Sequence, residues 1–266
     1  MRHQILAAAV ALPLVLGASP ASAAQPGAHY AALGDSYAAG VAAGSYDKAS
    51  GDCHRSARSY PALWAAEHHP AAFLSVACSG AATQHVIRDQ LPRVPADSTL
   101  VTLTVGGNDL DFATAAAACL QPLTTDARCD RALDESERLL REELPGNLEQ
   151  TYRAVSAAAP AARVVVTGYP HLLETGTTCW VGTDARRARF NALTDRLDEL
   201  IQRQADKQGF RFADVRSPFS GHGVCARSGE EWITRIVLTS IWESFHPTPE
   251  GQARGYLPNV SAAAAE

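Results

Sequence analysis

The sequence predicts an α/β fold of the doubly wound type, a mainly parallel sheet covered on both faces by helices. Three observations carry this. Short apolar runs of strand length recur along the chain, stretches with helical periodicity lie between them, and the composition supports a single large core. Hydrophobic residues at 46% with charged residues at 19% describe a globular protein and exclude a disordered one.

The apolar runs place strands at residues 29–33, 72–76, 100–105, 163–167 and 210–215. Runs this short and this apolar suit a parallel sheet buried on both faces. Helical periodicity is expected over residues 60–68, 83–90, 134–144, 148–158 and 183–208. The last of these carries Phe190, Leu193, Leu197, Leu200 and Ile201 on one face. Pro145-Gly146 breaks what would otherwise be one helix with its successor, and Gly209 is placed to end the long one. Residues 109–131 and 180–182 look like excursions from the sheet, and 217–234 is a Gly- and Ser-containing segment with little periodicity. Loops this long commonly form the rim of a binding cleft. Their apolar residues Leu110, Phe112, Leu120, Trp180, Phe219, Trp232 and Ile233 are candidates to line such a cleft.

The amino terminus sets the expected compartment. Met1-Arg2-His3 supplies a basic start, residues 5–17 are almost wholly apolar, and Ala21-Ser22-Ala23 fits the small-x-small cleavage rule. Residues 1–23 therefore read as a secretory signal peptide, followed by a single domain over 24–266. The apolar run is shorter than the roughly 20 residues a bilayer span needs, and Pro13 and Pro20 interrupt it, so no stable membrane insertion is expected. A net charge of -5 lacks the basic footprint of a nucleic-acid partner. A secreted monomer is the expectation.

Cysteines stand at 53, 78, 119, 129, 179 and 225. An even number in an exported chain suggests three disulfides, and order along the chain favours Cys53–Cys78, Cys119–Cys129 and Cys179–Cys225, although sequence alone does not choose among pairings. No two are spaced as zinc ligands usually are, so no metal is expected.

Ser36 follows the apolar residues Tyr30, Ala31, Ala32 and Leu33, at the carboxyl end of the first strand, the edge where open parallel sheets bind ligands. Gly34-Asp35-Ser36 alone also makes a good turn followed by a helix cap. The third strand ends Gly106-Gly107-Asn108-Asp109 and the second Cys78-Ser79-Gly80, which brings an amide side chain and a glycine N–H to the same edge as possible oxyanion donors. A serine hydroxyl needs a base. Among nine histidines, His246 stands out: Thr248 suits a helix N-cap and Pro249 the first helical position, which puts His246 on the loop leading into a terminal helix.

Gly34-Asp35-Ser36-Tyr37, then Gly80, then Gly106-Gly107-Asn108-Asp109, then His246-Pro247, in that order, resembles the SGNH or GDSL-type hydrolases, in particular the secreted, three-disulfide lipases and esterases of actinobacteria. The resemblance implies a flavodoxin-like α/β/α sandwich with a central five-stranded parallel sheet. It also implies Ser36 as nucleophile, His246 as general base, and an oxyanion hole from the N–H groups of Ser36 and Gly80 with the side chain of Asn108. No cofactor is implied. The substrate implied is a lipidic acyl ester; a phospholipase A-type activity and a carbohydrate acetyl esterase are alternatives, and a non-catalytic secreted binding domain is the contrasting class. One position departs from the family pattern. Glu243 stands where an Asp usually orients the histidine, so either its carboxylate or the backbone carbonyl of Ser244 holds the imidazole. The sequence Gly-x-Ser-x-Gly is absent around Ser36, which argues against an α/β-hydrolase nucleophile elbow.

Overall fold

Every strand in the molecule is short because each spans one buried layer and then delivers the chain to a loop. The computed structural model describes residues 27–121 and 123–265; the leader expected over 1–23 lies outside the described residues. The strands are β1 (His29–Gly34), β2 (Ala72–Ser75), β3 (Leu100–Thr104), β4 (Arg163–Thr167) and β5 (Arg211–Ala213). All neighbours pair in parallel, in the order β2-β1-β3-β4-β5. Winding reverses at β1, so the β1 and β3 ends diverge into the crevice where such sheets bind ligands. β1 and β3 are buried almost throughout, whereas the edge strand β2 is half exposed. The other edge, β5, keeps three residues of the six expected, having a partner on one side alone.

The helices are α1 (Ser36–Ala39), α2 (Tyr60–His68), α3 (Thr83–His85), α4 (Phe112–Leu120), α5 (Asp126–Glu142), α6 (Leu144–Ala158), α7 (Asp184–Lys207) and α8 (Leu257–Ala265). α2 and α8 lie together on one face of the sheet, while α6 and α7 cover the other with α5 packed outside them. α7 starts where Thr183 accepts the N–H of Arg186, and Gly209, at φ 70°, turns the chain out of it. Its stripe of Phe190, Leu193, Leu197 and Ile201 is fully buried. α5 and α6 part at Glu143, with Pro145 in the first turn of α6. The helix expected over 83–90 is one α turn running into a π turn over Val86–Gln90. That distortion carries the buried Gln90 amide to both the N–H and the C=O of Gly34, each at 2.8 Å.

The expectation of an irregular excursion over 109–131 is corrected: this stretch contains α4 and the start of α5. Its helical signal is faint because five of the nine residues of α4 are alanine, which gives no apolar stripe, and the first turns of α5 are charged. Small residues suit α4, which packs against α5 and α7 and walls a cavity. The cysteines pair as Cys53–Cys78, Cys119–Cys129 and Cys179–Cys225. Among the described residues no helix is long and apolar enough to cross a membrane.

Candidate active site

The chain leaves β1 through Gly34, at φ 128°, where a Cβ would sit 2.2 Å from the Thr104 carbonyl oxygen of β3. Only glycine permits this approach. Asp35 then donates its N–H to Thr104 (2.9 Å) and accepts the N–H of Tyr37 on its carboxylate (2.9 Å), capping α1 with Ser36 as its first residue. Ser36 is thereby held at the sheet edge with its hydroxyl facing a cavity.

His246 meets it from the other end of the chain. Its Nε2 lies 2.7 Å from Ser36 Oγ, and its Nδ1 lies 2.9 Å from the carbonyl oxygen of Ser244. A carbonyl only accepts, so Nδ1 carries the proton and the Nε2 lone pair faces the serine. Several bonds hold this loop: Tyr37 OH donates to the Phe245 carbonyl (2.9 Å), and Thr234 and the 245–246 backbone exchange N–H groups (3.1 and 2.9 Å). Thr248 Oγ1 accepts the N–H of Gly251, capping the helical run that begins at Pro249 and passes through a π turn over Gly251–Tyr256 into α8. Burial pushes the imidazole down to about 4, the Ser244 hydrogen bond acting in the opposite sense.

Glu243 approaches the imidazole through its backbone carbonyl alone, which adds to the effect of the Ser244 carbonyl. Its carboxylate accepts the Tyr46 hydroxyl at 2.5 Å, and the neighbouring Trp242 stacks on His54 with centroids 3.8 Å apart. Of the two candidate orienting groups, the structure brings the Ser244 carbonyl to Nδ1 and turns Glu243 toward the loop after α1.

Asn108 lies at the end of β3 and borders the same cavity as Ser36 and His246. One amide hydrogen goes to the Ala81 carbonyl at 3.0 Å, which fixes the rotamer and leaves the second hydrogen free. Gly80 sits in the adjoining loop, outside the cavity wall, tied to the site because Cys78 N–H bonds the Gly34 carbonyl at 3.0 Å. Among the described residues the N–H groups of Ser36 and Gly80 have no acceptor.

Tyr169, just past β4, is a site residue that sequence reasoning missed. Its hydroxyl donates to Asp35 (2.5 Å) and accepts the N–H of Gly107 (3.1 Å), coupling three strand ends. The signal was its position: Gly168-Tyr169 follows an apolar run at the same sheet edge. Burial pushes the Asp35 carboxyl up to about 7, against the hydrogen bonds from Tyr169 and Tyr37 that favour its ionised form.

The cavity measures about 360 Å³ and runs along α4, walled by Phe112, Ala116, Leu172, Phe190, Ile236 and Ile241. Of the seven candidate groove residues Phe112 alone lines it. Leu110, Leu120, Phe219, Trp232 and Ile233 are buried in the core, and Trp180 is exposed. An apolar residue in a loop carries no mark that separates packing from lining.

A five-stranded parallel sandwich with a hydrogen-bonded serine–histidine pair at its switch point is the arrangement of a serine hydrolase. The chain belongs to the GDSL-like lipase/acylhydrolase family, whose pattern matches residues 32–254. It is 43% identical to lipase 1 of Streptomyces coelicolor, over 98% of this chain and 95% of that protein. The crystal structure of phospholipase A1 from Streptomyces albidoflavus NA297 superposes with a TM-score of 0.85 at 41% identity, covering 90% of this chain and all of that one. That of an extracellular lipase from Streptomyces rimosus does so at 0.84 and 42%, covering 89% and 99%.

Proposed function

We propose that Ser36 is the nucleophile and His246 the general base in a two-stage acyl transfer. The observation that carries this is the 2.7 Å contact of Nε2 with Ser36 Oγ, with Nδ1 fixed on the Ser244 carbonyl. Nε2 takes the hydroxyl proton as Oγ attacks the ester carbonyl, and returns it to the leaving alcohol; water then repeats the cycle on the acyl-enzyme. The free N–H groups of Ser36 and Gly80 and the second hydrogen of Asn108 stabilise the oxyanion. Because the Ser244 carbonyl is the orienting group, no carboxylate offsets the imidazolium that forms.

The acyl group is lipidic. The cavity beside Ser36 is apolar and far larger than an acetyl group requires, which disfavours a carbohydrate acetyl esterase. Relatives described as lipases support a fatty acyl ester, and the likeness to phospholipase A1 supports phospholipids as a second substrate class. Residues 1–23 are a leader removed on export, and 24–266 form the mature domain, a reading supported by three disulfides and a relative described as extracellular.

The test is turnover of the purified mature chain on p-nitrophenyl esters from acetyl to palmitoyl, a triglyceride emulsion and phosphatidylcholine. Medium or long acyl chains are expected to be preferred, with activity lost in Ser36→Ala and His246→Ala. A preference for acetyl esters with no lipid hydrolysis would contradict the substrate reading.

A further inference from the structure

From Cys78 to Thr83, between β2 and α3, every backbone N–H but one has an acceptor. Cys78 donates to the Gly34 carbonyl (3.0 Å), Ser79 to that of Cys53 (3.2 Å) and Ala81 to that of Cys78 (3.1 Å). Ala82 donates to the ring Nδ1 of His85 (3.0 Å), and Thr83 to the Asp109 carboxylate (3.0 Å). The exception, among the described residues, is Gly80, which stands in the left-handed region at φ 76°. A free N–H set between bonded neighbours is oriented before any substrate arrives. That is the condition for stabilising charge that develops in a transition state.

Asp109 holds the far end of this loop. The side chain of Ala82 cannot cap α3, so the N–H groups at the start of that helix need acceptors from elsewhere. Asp109 Oδ2 takes the Thr83 N–H, and Oδ1 takes the Thr83 hydroxyl at 2.5 Å, in a buried threonine. Asn108, the residue before it, grips the same loop at the Ala81 carbonyl (3.0 Å). Two consecutive residues at the end of β3 thus clamp the chain after Gly80, while the Cys53–Cys78 disulfide ties the chain before it. We infer that Asp109 is a positioning residue of the oxyanion hole, acting through Thr83 to aim the Gly80 N–H at the oxygen of the carbonyl that Ser36 attacks. This rests on Ser36 as nucleophile and Gly80 as donor, and adds the group that keeps that donor in place. Without the carboxylate, the buried N–H and hydroxyl of Thr83 lose their acceptor and the loop is free to turn the Gly80 N–H away.

The experiment compares Asp109→Ala, Thr83→Val and Thr83→Ser with the unaltered mature chain on soluble p-nitrophenyl butyrate. Each is also measured for urea unfolding and for the Ki of an alkyl trifluoromethyl ketone, which forms a tetrahedral adduct on an active serine and so reports the oxyanion hole. Loss of one oxyanion donor costs roughly 10²–10³ in kcat, so Asp109→Ala is expected to fall on the order of 100-fold in kcat with KM within about threefold. Thr83→Val, which removes one bond to the carboxylate, is expected to fall about tenfold, and Thr83→Ser, which keeps both, to stay within about twofold. Ketone affinity is expected to weaken in step with kcat/KM, which a merely structural contact would not produce. A folded Asp109→Ala with kcat within about threefold of the unaltered chain would overturn the inference. So would a loss of stability with ketone affinity unchanged. Should Asp109→Ala fail to fold, the threonine pair decides: equal turnover in Thr83→Val and Thr83→Ser would overturn it. An unaltered chain without ester turnover would refute the nucleophile reading itself, and the inference would fall with it.

Discussion

Glu243→Gln separates the two ways of holding His246. The carboxylate accepts the Tyr46 hydroxyl at 2.5 Å while Nδ1 of His246 is bonded to the Ser244 carbonyl, so the change acts on the loop and not on the imidazole. A hydrogen bond to a charged group contributes roughly 1.5–3 kcal/mol and a neutral one roughly 0.5–1.5, so the amide forfeits about 1 kcal/mol of loop anchoring. Even if all of it appeared in the transition state, kcat/KM would fall by no more than about tenfold. Removing the charge of an orienting carboxylate in a Ser-His-Asp enzyme costs roughly 10⁴. The assay is kcat/KM on a soluble p-nitrophenyl ester at pH 8, with circular dichroism to establish that the variant is folded. Tyr46→Phe also strips the acceptor from the Ala42 N–H (2.9 Å), so its loss is expected to be somewhat larger, and the double variant little worse than Tyr46→Phe alone because the Tyr46–Glu243 contact is common to both. A loss above about 10³ in folded Glu243→Gln would refute the reasoning and restore the carboxylate as orienting group.

Other outcomes follow from the same geometry. His246 accepts a proton only when neutral, and burial holds it at about 4, so kcat/KM is expected to stay level as pH falls to about 5 and then drop with a midpoint near 4; a midpoint at or above the ordinary histidine value would contradict a buried, carbonyl-bonded imidazole. Tyr169→Phe leaves Asp35 and the N–H of Gly107 short of a partner in a buried site, and urea unfolding is expected to show a loss of about 3 kcal/mol with reduced kcat; a loss below about 1 kcal/mol would show that the hydroxyl is not a structural link. Cys179→Ser with Cys225→Ser opens a closure spanning 46 residues, which a chain-entropy estimate puts at roughly 4 kcal/mol; unchanged unfolding in urea would contradict the pairing.

The sheet was legible because strands buried on both faces are predominantly apolar, as β1, β3 and β4 are, with the buried threonines Thr102, Thr104 and Thr167 paired to other hydroxyls. Strand ends follow from strands, which is why Ser36 and Asn108 could be placed at one edge from the sequence. His246 was legible through the cap chemistry of Thr248 and Pro249. What was hidden depends on directions that sequence does not carry. Glu243 and Ser244 are neighbours, and only the fold shows one turned to Tyr46 and the other to the imidazole. α4 was missed because alanines on every face give no period, and for the same reason its cavity-facing side looked like nothing in particular. Tyr169 was missed because its partners, Asp35 and Gly107, are far away in the chain.

Every role proposed for the site depends on a covalent bond between Ser36 and the acyl group. Treating the mature chain with a long-chain fluorophosphonate and mapping the adduct by peptide mass spectrometry tests it directly. One stoichiometric adduct is expected on the peptide carrying Ser36, absent in Ser36→Ala and slowed by orders of magnitude in His246→Ala. No adduct on the native chain, or an undiminished one in Ser36→Ala, would contradict it.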